Sequence, residues 1–244
     1  MTWWMWMVED MQIEVFSDVV CPFCYIGKRR LEEALETFGH AGEVTVTYRS
    51  FQLDPSSPVT SDLSLDQMLA QKYGRTLQQA KQMNDRVSDM AATVGLDFRL
   101  QDAHPANTFR AHRLLHFAAT RDLGNALTER LMHGYFSQGV RIGDRDELLR
   151  LAVDVGLDEA DAAAVLDGDD FTAEVEADIA LARGFGVTGV PFFVFDRKYA
   201  VSGAQETAVF SQVLETAWAQ AHPLAVVGAD GAVCEDDVCA VPER

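Results

Sequence analysis

Apolar residues alternate with polar ones in two short stretches near the start of the chain and recur at helical spacing through most of the remaining residues. The segment MQIEVFS at 11–17 sets Ile13 and Val15 against Gln12 and Glu14 before adding Phe16, the two-residue period of a β-strand. From Pro22 the period lengthens: Leu31, Ala34, Leu35 and Phe38 share one face of a helix, and Gly39 supplies a stop. EVTVTYRSF at 43–51 then alternates Val44, Val46 and Tyr48 with Thr45, Thr47 and Arg49, which predicts a second strand. Strand, helix, strand is the opening of a βαβ unit.

The cluster DPSSP at 54–58 closes that unit, and helical spacing then persists for more than a hundred residues. Leu77, Ala80, Met83, Val87, Met90 and Val94 form one stripe, and Leu148, Leu151, Ala152 and Val155 another. Further helices are predicted over 107–120, 123–137, 158–167 and 170–184. Strand character returns in the continuous apolar run VPFFVFD, suited to a buried central strand, followed by KYAVSG and a turn at Ser202-Gly203. A last helix carries Val209, Phe210, Val213, Leu214, Ala217 and Trp218 on its apolar side. The predicted organisation is an α/β domain built from 11–54 and 186–222, interrupted by an all-helical insertion at 55–185, with an extension at 1–10 and a tail at 223–244. The segment GFGVTG, Gly184 to Gly189, spells a dinucleotide-binding G-x-G-x-x-G, but it leaves a helix and enters a strand, the reverse of what that loop requires. It is read as a helix C-cap and a turn.

Composition narrows the partners. Lys and Arg number 20 against 38 Asp and Glu, a formal charge of −18, so nucleic acid and anionic membranes are not expected partners. The basic run Lys28-Arg29-Arg30 is expected to be a solvated helix face. The opening MTWWMWM lacks a basic flank and runs into Glu9-Asp10, which does not suit a signal peptide; a disordered extension or an upstream start codon is expected instead. No apolar segment reaches membrane length. A cytoplasmic chain is therefore the expectation, and four cysteines there point to catalysis, redox sensing or metal binding rather than permanent staples.

Two of those cysteines open the first helix as Cys21-Pro22-Phe23-Cys24. Pro22 suits the first helical turn, where its missing N–H would be unpaired anyway. Cys21 then meets the positive end of the helix, an environment that brings such thiols into a range of roughly 3.5 to 7.5. That makes Cys21 the attacking sulfur and Cys24, one turn deeper, the resolving one. Half of a zinc site is the competing reading, with Cys234 and Cys239 or the pair His112 and His116 supplying the other ligands. Cys234 and Cys239 are five positions apart, which on a helix exceeds the Cα separation of about 4.4–6.8 Å that a disulfide spans, so they could bond only across a turn. Asp236 and Asp237 between them offer a weaker alternative, a site for a soft metal.

EVFSDVVCPFCYIGKRRLEEAL, the helical insertion, NTFRAHRLLHFA and GVTGVPFFVFDRKYAVSGAQ occur in an order that resembles the DsbA-type thioredoxin-like family, in its FrnE-like branch, over about residues 11–220. The resemblance implies a thioredoxin-like fold with a large helical insertion and thiol–disulfide oxidoreductase or disulfide isomerase activity. It implies a cis Pro191 beside the redox pair, with Val190, Pro22 and Phe23 against an extended substrate. Kappa-class glutathione transferases and 2-hydroxychromene-2-carboxylate isomerases resemble the chain in layout but carry serine where Cys21 stands; a glutathione-dependent isomerase or transferase is therefore the alternative function, and a metal-binding or redox-sensing protein a third. The same relatives mark Asn107 and His112 as candidate pocket residues, against the plainer roles of helix N-cap and part-buried packing. The FrnE-like branch also implies that Cys234 and Cys239 form a second redox pair exchanging with the first. No bound cofactor is expected beyond the redox disulfide. Protein thiols and disulfides are the expected partners, thioredoxin or glutathione the expected electron donor, and the chain a monomer or homodimer.

Overall fold

A computed structural model of the chain describes residues 10–223. The extension through residue 9 and the tail that carries Cys234 and Cys239 lie outside the described residues. Strand β1 (Met11–Ser17) is followed by helix α1 (Pro22–Thr37) and strand β2 (Val44–Ser50). Seven helices come next: α2 (Leu65–Tyr73), α3 (Leu77–Ala92), α4 (Phe109–Ala119), α5 (Gly124–Gln138), α6 (Arg145–Asp154), α7 (Glu159–Asp167) and α8 (Thr172–Gly184). Strands β3 (Phe192–Phe195) and β4 (Tyr199–Ser202) and helix α9 (Thr207–Ala221) complete the order. The sheet runs β2-β1-β3-β4, with β1 parallel to β2 and antiparallel to β3, so both ends of the described chain build it.

β1 is central, and its pleat sends side chains into two different cores. Ile13 and Val15 join Leu31, Ala34 and Phe38 of α1 and Phe210 and Leu214 of α9 on one face, where Phe193 meets Phe210 edge-on at 4.7 Å. Phe16 packs on the other face with Ala182 and Val187 at the end of α8. The largest cluster lies within the helices, and the first turn of α1 reaches into it through Cys21, Cys24, Tyr25 and Ile26. The cysteines thus sit where the sheet layer and the helical layer meet.

GFGVTG behaves as a cap: Gly186 has φ +71, its N–H bonds Arg183 O, and the Val187 N–H bonds Ala182 O at 2.9 Å, closing α8 before the strand. α2 and α3 each open on a capping box, Ser64 with Gln67 and Thr76 with Gln79.

Three expectations need correction. Glu14, expected to alternate outward, is buried because β1 is covered on both faces; Arg49 and Arg197 both reach its carboxylate, at distances down to 2.8 Å. The stripe on α3 is only half used, since Leu77, Met83 and Met90 are exposed while Ala80, Asn84 and Ala91 are buried. The basic run is not a solvated face: Lys28 is 4% and Arg30 6% exposed. Lys28 bonds Glu32 at 2.5 Å and Glu129 of α5 at 2.7 Å, Arg29 pairs with the same two carboxylates, and Tyr25 donates to Glu129 at 2.5 Å. Burial pushes Glu129 up, but the hydrogen bonds from Lys28 and Tyr25 and the nearby cations outweigh it and hold the carboxyl below its ordinary range.

A carboxyl held low in the folded state stabilises fully above its unfolded value, near 4.3, and loses that contribution as pH falls through the lower folded value. Glu129→Gln should therefore lower the urea midpoint at about pH 6, and the gap to wild type should narrow toward pH 3. Urea titrations at a series of pH values check this.

Candidate active site

β1 ends at Ser17, and the chain turns through Asp18-Val19-Val20 to deliver Cys21 as the N-cap of α1. The turn is held by the Cys21 N–H to Asp18 O at 3.0 Å, and the helix starts with the Cys24 N–H to Cys21 O at 3.0 Å. No side chain caps this helix end, and Pro22 at its first position has no N–H to satisfy. Asp18 is buried and fixes the surroundings: one oxygen accepts the Leu53 N–H at 2.8 Å, the other meets His112 Nε2 at 3.3 Å.

Both thiols are free and both residues are buried. Cys21 Sγ donates to the carbonyl of Val190 at 3.5 Å. Cys24 lies one turn further in; burial pushes its thiol well above the ordinary range, and the neighbouring Cys21 sulfur raises it further. Exposure does not separate the two residues, at 3% for Cys21 and 2% for Cys24; their order along α1 and the raised Cys24 thiol do.

The Val190–Pro191 peptide bond is cis. A chain of contacts seats this segment on α1. The Gly203 N–H bonds Pro191 O at 2.9 Å, and Arg30 Nη1 bonds Ala204 O at 2.6 Å. Beneath the proline ring α1 carries Gly27, where a Cβ would come within 3.0 Å of Phe193 Cζ and 3.2 Å of Pro191 Cγ. Phe23 is 40% exposed beside the motif, and Phe185, also exposed, stacks edge-on against Phe16 just ahead of Val187.

Of the residues singled out in the sequence, Cys21, Cys24, Val190 and Pro191 come together, with Pro22 and Phe23 between the cysteines. Asn107 does other work. It sits one residue before the N-cap position, held by Thr108; its side-chain oxygen accepts the Phe109 N–H at 2.9 Å, and its amide donates to Pro55 O at 3.1 Å. It fastens the loop after β2 to the start of α4. His112 and His116 are engaged separately, with Asp18 and with Asp178, the latter at 3.0 Å. Among the described residues no group of three or more His, Cys, Asp or Glu is arranged to hold a metal ion. Sequence reading missed Asp18, Gly27 and Arg30. An acid inside the apolar run FSDVVC and a glycine inside a helix, where it costs about 1 kcal/mol against alanine, were the available signals.

A two-cysteine helix start facing a cis-proline loop on a four-stranded mixed sheet defines a redox protein of the thioredoxin fold. The model of the DSBA-like thioredoxin domain matches residues 12–215, and the chain belongs to that family. It is similar to the probable DsbA oxidoreductase SCO1869 of Streptomyces coelicolor, with 42% identity, a TM-score of 0.84, and 96% of this chain and 100% of that one covered. It is 29% identical over 206 residues to YwbO of Bacillus subtilis, covering 83% of this chain and 94% of that protein. The cytosolic disulfide reductase DsbM of Pseudomonas aeruginosa shares the fold at 19% identity and a TM-score of 0.60, with 86% of this chain and 99% of that one covered; a second structure of it is with GSH. No described helix is long and apolar enough to cross a membrane.

Gly27→Ala is expected to lower the melting temperature and slow disulfide exchange. Overpacking costs about 1–3 kcal/mol, and the ring it meets cannot yield without moving Val190. Gly39→Ala, where nothing lies within 4 Å, should leave both unchanged. Thermal melts and exchange rates of the two variants make the comparison.

Proposed function

We propose that the chain exchanges thiols and disulfides of polypeptide substrates through Cys21 and Cys24. The observation that carries this is the Cys21 thiol lying against the Val190 carbonyl beside Pro191, with Cys24 buried one turn behind. Cys21, as thiolate, attacks one sulfur of a substrate disulfide; the S–S bond breaks, the second substrate sulfur leaves with the electron pair, and a mixed disulfide forms at Cys21. Cys24 then attacks the Cys21 sulfur, releasing the remaining substrate thiol and leaving Cys21 and Cys24 joined. Two glutathione thiols, or one dithiol such as that of thioredoxin, return the pair to its reduced state. Run backward, the same steps oxidise a substrate.

The hydrogen bond from Cys21 explains how substrate and thiol share one acceptor. A sulfur in a mixed disulfide has no proton to donate, so the Val190 carbonyl becomes free to accept an N–H from an extended substrate strand. The exposed Phe23 offers that strand an apolar surface. Function without a bound cofactor, in a cytoplasm whose glutathione pool supplies electrons, belongs to the same proposal. So does exchange with the pair Cys234 and Cys239.

Cys21→Ser should reduce insulin-disulfide reduction with dithiothreitol to background, and Cys24→Ala should accumulate covalent adducts at Cys21 that mass spectrometry identifies. Wild-type turnover in Cys21→Ser overturns the proposal. Glutathione-dependent isomerisation that survives Cys24→Ser would favour one-thiol chemistry instead.

A further inference from the structure

His112 and His116 lie four residues apart on α4 and share one face of it. β1 and β2 run parallel and end level, Ser17 opposite Ser50, and each histidine holds the chain at one of those ends. His116 Nε2 lies 3.2 Å from Ser50 Oγ and 3.0 Å from the Asp178 carboxylate, which also accepts the Ser50 N–H at 2.9 Å. His112, 1% exposed, donates from Nε2 to Asp18 Oδ1 at 3.3 Å, since a carboxylate can only accept. Asp18 is the first residue past β1, and its main-chain oxygen accepts the Cys21 N–H at 3.0 Å. One histidine contact therefore ends in a strand, and the other ends at the attacking cysteine.

We propose that His112 is a positioning residue for Cys21, acting through Asp18, an assignment that rests on the exchange reaction proposed above. The Asp18 carboxylate has two anchors, the Leu53 N–H on one oxygen and His112 on the other, and both come from elsewhere in the chain. With both in place the Asp18 carbonyl is fixed, and the turn it closes keeps Cys21 Sγ 3.5 Å from the Val190 carbonyl. Without His112, a carboxylate that is only 1% exposed loses one of its two donors and has to turn toward another, and its main chain moves with it. The Cys21 N–H follows the Asp18 carbonyl. A reacting atom displaced by about 1 Å can lose about 100-fold in rate.

The test uses the reduced full-length protein in a Cys24→Ala background. There the Cys21 thiolate attacks oxidised glutathione, a mixed disulfide forms, one glutathione thiolate leaves, and the reaction stops. Peptide mass after an acid quench gives the rate of the Cys21 adduct, measured well below the melting temperature of each variant. His112→Leu should slow adduct formation about 100-fold. His112→Gln, whose amide nitrogen reaches the place of Nε2, should restore most of the parent rate, whereas His112→Asn, whose amide reaches only as far as Nδ1, should not. His116→Leu, which releases Ser50 and Asp178 instead, should react at the parent rate even where it lowers the melting temperature. With Asp18→Ala in place, His112→Leu should slow the reaction no further, because nothing is left for it to hold. A parent-like rate in His112→Leu, equal slowing in His116→Leu, or additive losses in the double variant overturns the assignment. If His112→Leu does not fold, equal rates in His112→Gln and His112→Asn overturn it. A parent protein that forms no adduct at Cys21 refutes the exchange reaction itself, and the positioning role falls with it.

Discussion

The seating of Pro191 on the bare backbone of α1 at Gly27 sets the position of everything chemical in this protein. With no side chain at 27, strand β3 approaches α1 closely enough that the peptide before the proline puts the Val190 carbonyl 3.5 Å from the Cys21 sulfur. The loop that grips the proline is held in turn by Gly203 and by Arg30, whose guanidinium bonds Ala204 O. A helix residue, a strand start and a post-strand turn, widely separated in sequence, thereby act as one mount for a single thiol. Interiors pack densely enough that such a mount has little slack.

Position along α1 divides labour inside the motif. Both cysteines are shielded and join the helical core with Tyr25 and Ile26, but Cys21 ends the loop from β1 as the helix N-cap while Cys24 lies one turn further in. A buried thiol resists ionisation, which suits a sulfur that should wait until a mixed disulfide has formed next to it. Three buried polar groups, Asp18, His112 and Ser17, lie near the motif at the junction of the sheet and α4.

The same interface is fastened by ions. Lys28 and Arg29 meet Glu129 across the junction of α1 and α5, and Glu14 gathers Arg49 and Arg197 on the far sheet face. Removing one partner of a buried ion pair leaves an uncompensated charge, which costs far more than the pair contributes over an apolar alternative. These clusters therefore fix the alignment of the layers more than they add to net stability.

What the sequence determined by itself was whatever depends on neighbours along the chain. The period of MQIEVFS, the proline at the start of α1, the spacing of Cys21 and Cys24 and the cap at Gly186 are local, and local sterics and hydrogen bonding dictate them. Even α2, short and with no fully buried residue, had a local signal in Ser64-x-x-Gln67. Tertiary structure alone decided the rest. Lys28 is buried because Glu129 arrives 101 residues later, Glu14 because Arg197 arrives 183 residues later, and Arg30 because Ala204 O arrives 174 residues later. Charge next to charge in a sequence reads as solvated surface; only the fold shows which charges find a partner worth leaving water for.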